Sequence, residues 1–536
     1  MKKSLFVWVA ALMTLAACSN NDELLNNENL NGKVTVTATL PSDAPDSRVA
    51  LTEDNTNPTA PTVKVTWENT ESFSVIRGTE NKTYSKSTAG NAFTGDAHAT
   101  SDGTYYAFYP ANESATATNA LPYDLSEQTG VLEAAKTYMY AKNETDGKKY
   151  GFSHLTALVK FTLTLPEGVT GVTPSKVVIC SDKLQPVGTV DLTGDAVAYT
   201  ASEDATTSIT ITPTSLEFYA YVTPMSAGSD NKNTFVISMD GSDGKYYSGT
   251  LETSKSIEAN NLYAASVNMI CVEKGDFAMK NGSFMKYAAD MTLTAEQKAN
   301  VAGIVFWTTA DMNPAADAKT PAKLTDDKIM TKDYPNCTHG LIVSLKDVST
   351  TLTHWQSAHS NIANWQTTTF DAADKDQYKS VAGSTSQGDT DPVRYIMGYQ
   401  NTKILKAYNE SLSNDESSKT VLPVSLLETW EETNPAPANT TGWFIPSAKE
   451  LYMLCYKDVD SLNSASQSYT DTKNVVNASL KISDGKKFTN EKYWASTESS
   501  YTYTMAYFVD FYEGSLGYGD KSSNYNTKHV RAVCAF

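Results

Sequence analysis

Residues 33–40, KVTVTATL, decide how the first half of the chain is read. Val34, Val36, Ala38 and Leu40 alternate with Lys33, Thr35, Thr37 and Thr39, the period-2 pattern of a strand buried on one face. The strand stops at Pro41. A polar loop follows, SDAPDSR, holding a single arginine, Arg48, and Val49, Ala50 and Leu51 then resume an apolar run. A good strand is thus tied to the rest of the chain by a loop shaped for a protease.

Towards the N-terminus, Met1-Lys2-Lys3 is a basic start, and residues 4–17, SLFVWVAALMTLAA, form an apolar run too short to span a bilayer as a helix. That pattern is an export signal, residues 1–17. It ends in LAAC, which resembles a lipobox. The resemblance implies that Cys18 is lipidated and becomes the first residue of the mature chain, followed by a polar, Asn-rich tether over 18–31.

Towards the C-terminus, short alternating runs recur between Asn, Gly, Asp and Pro: VKVTW (63–67), FSVIR (73–77), YYAFYP (105–110), LVKFTLTL (158–165), KVVIC (176–180), SITITP (208–213), FYAYVTP (218–224) and TFVISM (234–239). Strands at this spacing, with no helical period between them, predict two tandem β-sandwich domains, 32–150 and 151–272. From 273 to 536 the character changes to α+β. Helical candidates are AEQKANVAG and SAKELYMLCYKDV, the latter started by Pro446-Ser447; strand candidates are YWAST (493–497), MAYFVDFY (505–512) and HVRAVCAF (529–536). In the last, Val530, Ala532, Cys534 and Phe536 share one face and Val533 and Ala535 the other. Apolar residues on both faces mark a strand buried within its own sheet.

The chain of 536 residues has room for roughly three or four domains. Its net charge of −18 and isoelectric point near 4.8 argue against nucleic acid or anionic membrane as a partner. After Cys18, the cysteines at 180, 271, 337, 455 and 534 are odd in number and show no CxxC spacing, so they are neither a disulfide framework nor a zinc site. His354 and His359 lack zinc spacing, and Cys337 and His339 are better read as structural than as ligands. There is no G-x-S-x-G elbow, phosphate loop or EF-hand, and nothing fixes a separation among Glu450, Glu498, Asp510 and Glu513. No enzyme, cofactor or metal is expected. The segment around and after YWAST is rich in tyrosines mixed with Ser, Gly and Asn, the composition of adaptable binding loops. Trp494, Tyr501, Tyr503, Tyr512, Tyr518 and Tyr525 are the ligand-contact candidates; the alternative is a well-solvated, Tyr-rich meander.

WENTESFSVI, GTYYAFYP, FSHLTALVKFTL and YVTPMSAG, in that order after the lipobox, resemble the successive landmarks of the fimbrillin-like (type V pilus) proteins of Gram-negative gut and oral anaerobes. The resemblance implies two tandem transthyretin-like β-sandwiches, export as a lipoprotein, and cleavage after an arginine in the first loop. Cleavage removes the first strand and opens a groove that a strand of the next subunit fills. Arg48 and Val49 match the cleavage site, and residues 33–40 the removable strand. GIVFW, NCTHGLIVSLKD, GYQNTKIL, GWFIPSAKELYML, YWASTESS and KHVRAVCAF are similar to a C-terminal domain with a C-type-lectin-like fold, which implies a binding role. The Glu-Pro-Asn and Trp-Asn-Asp motifs of calcium-dependent sugar binding are absent.

The expected function is a pilus tip subunit or adhesin at the outer membrane and cell surface. Its partners would be other pilus subunits through the strand-accepting groove, and a host or bacterial glycan or protein ligand. It would touch the membrane only through the lipid on Cys18 before cleavage. The rivals are a surface lipoprotein that keeps its lipid and binds glycans, and a secreted hydrolase.

Overall fold

Alternation along KVTVTATL puts Val36 and Ala38 wholly out of solvent and leaves Lys33 and Thr35 exposed, so the segment forms the strand Lys33–Thr39. The structure is a computed structural model of the chain. It describes residues 33–40, 51–54, 62–65, 67, 70–87, 90–99, 103–115, 117–203, 206–227, 232–311, 323–385, 391–456 and 471–536. The chain divides into two units: one runs to Asp243 and includes Gly249–Met269, the other holds Gly244–Ser248 and Ile270–Phe536. The described residues are mostly β, arranged in several sheets.

In the first unit, Lys33–Thr39 is the second strand of an eight-stranded sheet. It runs parallel to Lys149–Gly151 on one side and antiparallel to Ala92–Asp96 on the other. The core on one face gathers Val36, Ala38, Leu40, Trp67, Phe73, Val75, Phe93, Tyr109 and Phe152. Aromatic rings do most of the filling: Trp67 meets Phe93 at 5.0 Å and Phe152 at 5.5 Å, edge to face. The opposite face is buried too, because Ile76 and Phe108 pack with Leu121, Leu158, Tyr221 and Leu262.

The strands expected beyond residue 150 are present, including Ala157–Thr164, Pro174–Cys180, Glu217–Val222 and Asn233–Gly241. Their pairing crosses the expected boundary at 150. Leu121–Asp124 bonds to Val187–Asp191 and Glu127–Gln128 to Ser208–Ile211, after which the chain returns to the first sheet through Met139–Asn143 and Ser153–His154. Alternation shows which residues form a strand but not which sheet the strand joins.

The second unit is a layered α+β structure. A five-stranded sheet runs in the order Phe284–Met285, Phe277–Met279, Val301–Thr308, Gly340–Asp347, Arg531–Ala535. A four-stranded sheet runs Ala382–Gly383, Lys492–Ser499, Met505–Asp510, Ser515–Asp520. Seven helices are described: α1 (Ala295–Asn300), α2 (Lys328–Asp333), α3 (Ile362–Thr368), α4 (Gly398–Glu410), α5 (Leu422–Glu431), α6 (Ala448–Cys455) and α7 (Asp471–Ile482). Both faces of the five-stranded sheet are covered. Ile304, Phe306 and Val343 pack with side chains of α6 and α7, while Val305, Ile342 and Cys534 pack with α4 and α5. No helix among the described residues is long and apolar enough to cross a membrane.

Candidate functional site

The seat of the first strand is the site with the most developed geometry. The strand is held on both edges by main-chain bonds: Ala38 N–H donates to Asn91 O (3.0 Å), Thr37 N–H to Lys148 O (2.8 Å), and Phe152 N–H to Thr39 O (2.8 Å). Trp67 Nε1 adds a buried bond to Ala38 O at 3.1 Å. Beneath lie the rings of Trp67, Phe73, Phe93 and Phe152, so withdrawing the strand would open an apolar trough between two unpaired edges. Such an edge is a template for another strand. The Lys33–Asp96 ion pair at the strand's start (3.2 Å) is solvent-exposed and adds little. Cys18, Arg48 and Val49 lie outside the described residues.

The last strand is buried on both faces. Val530, Ala532, Val533, Cys534 and Ala535 are each 0% exposed. One edge pairs with Gly340–Asp347, and the other meets Phe444 through reciprocal bonds with Val533 (2.8 and 3.0 Å). Phe536 O accepts from His339 N–H at 2.8 Å.

Of the aromatic candidates, Trp494 requires correction. It is 0% exposed, its Nε1 donates to Thr353 O (2.8 Å), and Lys528 covers its face with Nζ 4.4 Å from the ring centroid. A Trp inside a strand with both faces packed is core, not a ligand platform. The tyrosines are different: Tyr501, Tyr503, Tyr512, Tyr518 and Tyr525 are 51, 48, 70, 52 and 99% exposed. Tyr501 and Tyr518 come together with ring centroids 5.9 Å apart, and the bond from Lys521 N–H to Thr504 O (2.9 Å) keeps the loops bearing Tyr503 and Tyr525 at the same end of the sheet. Tyr512 sits in the turn at the opposite end of the 505–520 hairpin.

Beneath this tyrosine end lies an ion pair that the sequence does not reveal, although Glu498 is among the carboxylates considered for pairing. Lys521 and Glu498 form an ion pair whose side chains are 0% and 1% exposed. Glu498 also accepts from Ile362 N–H (3.2 Å) and Ala363 N–H (2.8 Å), and Lys521 donates to Ser360 O (3.0 Å) and lies over Trp355. Burial lowers the Lys521 ammonium. Lys528 is drawn down to about 8, by burial first and by Lys492 second. It is clamped between Trp494 and Phe508.

The carboxylates that might have paired for catalysis are engaged separately. Glu450 accepts from Ser447 N–H at 2.5 Å inside a capping box, and Asp510 binds Lys492 (3.0 Å) and the N–H of Tyr512 (2.9 Å). Among the described residues, no three His, Cys, Asp or Glu side chains are placed to hold a metal.

The profile of the fimbrillin-like family matches residues 47–273. The fimbrillin-like match begins after the strand Lys33–Thr39, so the strand that completes the sheet lies outside the matched range. A putative fimbrium tip subunit, Fim1C of Bacteroides ovatus, is 30% identical over 234 residues, 42% of this chain and 40% of the relative. The chain thus matches about 40% of the length of that curated relative. Among solved structures, a fimbrial protein from Bacteroides ovatus is 21% identical, with a TM-score of 0.40 over 94% of this chain and 99% of that one. The tip fimbrial protein Mfa3 of Porphyromonas gingivalis, with a C-terminal truncation, is 10% identical, with a TM-score of 0.21 over 37% of this chain and 89% of that one.

Proposed function

We propose that the chain is a pilus subunit that sits at the tip, accepts a strand from its neighbour after cleavage at Arg48, and presents residues 273–536 outward as an adhesin. The observation that carries this is the seating of Lys33–Thr39 inside a sheet, bonded on both edges and filling an aromatic trough. The name of the relative Fim1C, a putative fimbrium tip subunit, supports it. Placement at the tip rests on the last strand. A shaft subunit must also offer a strand, and burial of Val530, Val533 and Phe536 makes withdrawing residues 530–536 cost about 1.5–3 kcal/mol per large side chain. On this reading 32–150 and 151–272 are transthyretin-like sandwiches and 273–536 is C-type-lectin-like. Cys18 carries the lipid that brings the precursor to the outer membrane, and Tyr501, Tyr503, Tyr518 and Tyr525 supply the contact surface.

The test is limited digestion of the full chain with an Arg-specific protease. The expected product starts at Val49, stays folded and monomeric alone, and joins one partner per chain when shaft subunits are added. Homopolymers on a size-exclusion column, or equal assembly by Arg48→Ala, would overturn the proposal. Retention of Cys18 and its lipid in the assembled form would favour the glycan-binding surface lipoprotein instead.

A further inference from the structure

We propose that the cleft between the end of α3 and the turn at 375–378 is a carbohydrate site for neutral sugars. The cleft encloses about 620 Å³, within the range of small-ligand sites. Two half-buried rings form its apolar part. Phe370 and Tyr378 stand 5.1 Å apart at 80°, and Trp365 backs Phe370 at 5.8 Å, so each ring is fixed while part of it faces the cleft. Rigid aromatic faces offer large contact area at low entropy cost, and they suit the C–H face of a pyranose.

The polar part is matched to hydroxyl groups. Asp376 makes no hydrogen bond or ion pair among the described residues, and the Tyr378 hydroxyl has no hydrogen-bond partner there; both line the cleft. A carboxylate accepts two hydroxyls of a vicinal diol, and a phenol donates to a third. Burial, with Asp374 next, pushes the Tyr378 hydroxyl up to about 12, so it stays a donor at physiological pH. The walls are set before a ligand arrives: the Gln366 amide bonds Lys379 O (2.9 Å) and Val381 N–H (2.9 Å), and Asp374 bonds Lys332 (2.9 Å). Charge selects the sugar. Asp371 is matched by Lys375 at 3.5 Å, which leaves Asp376 as the uncompensated charge of the cleft and disfavours sulfated, phosphorylated or sialylated ligands. One spare carboxylate is too little for a basic peptide, whose successive cations need several.

Sugar binding in this cleft is independent of where the chain sits in a pilus. The test is saturation-transfer NMR on the full chain with cellohexaose, maltohexaose and chitohexaose, beside sialyllactose and hexalysine. At least one neutral hexaose is expected to bind with Kd below roughly 5 mM. Its affinity should fall about tenfold, by about 1.4 kcal/mol, in Asp376→Asn and in Tyr378→Ala. Asp376 is exposed, so its variant tests binding without threatening the fold. No signal from all three hexaoses, equal affinity in both variants, or preference for sialyllactose or hexalysine would overturn it.

Discussion

Glu450 is the residue with the largest hidden consequence. Its carboxyl is wholly buried, and burial, which outweighs the bonds from Ser447 and Gly398, pushes it up to about 8. A raised folded-state value stabilises the folded chain fully below the ordinary value of 4.5. The contribution is lost as pH rises through about 8, because the unfolded carboxyl ionises first. Glu450→Gln keeps an acceptor for the same N–H groups and cannot ionise. Thermal melts at pH 5 and pH 9 should therefore show the wild type losing stability relative to Glu450→Gln, by a few kcal/mol on the order expected for such a shift. Parallel melting curves for the two proteins across that range would refute it. The buried Lys521–Glu498 pair follows the same physics of desolvation, but there the charges meet each other; removing one partner would leave the other buried alone, at about 3–5 kcal/mol.

At the scale of elements, the first strand has two faces of opposite tolerance. Val36→Asp would place a carboxylate among Phe93, Phe73 and Trp67 and is expected to cost about 3 kcal/mol or more. Thr35→Asp, on the exposed face, should stay within about 0.5 kcal/mol. Denaturant titration of both variants checks this, and equal destabilisation would mean that Val36 does not face the core. Alternation made this strand legible, as it did Ala157–Thr164 and Asn233–Gly241, because half-buried strands write their burial at every second residue. The helices were less legible. The Pro446-Ser447 start signal announced α6, but α4 is not among the helical candidates, because it buries the polar Gln400, Asn401 and Thr402. Trp494 misled for the converse reason: an aromatic beside tyrosines looks like surface, and only the packing of Val530, Phe508 and Lys528 around it makes it core. Glu498 stands in the sequence only as a possible partner of other carboxylates, and its pairing with Lys521 could not be found there, since charged residues are so seldom fully buried that each alone reads as solvated.

At the scale of the whole molecule, the proposed function requires a first strand that is replaceable and a last strand that is not. The first fills a trough whose two edges, Ala92–Asp96 and Lys149–Gly151, any strand of the right pattern would satisfy. The last is bonded on both edges and buried on both faces. Peptide-level mass spectrometry of pili purified from the producing cells tests this most directly. The expected result is that this chain is present, begins at Val49, and lacks all peptides from residues 19–48. Recovery of the peptide spanning 33–48 in equal amount with the rest of the chain would contradict a removable first strand.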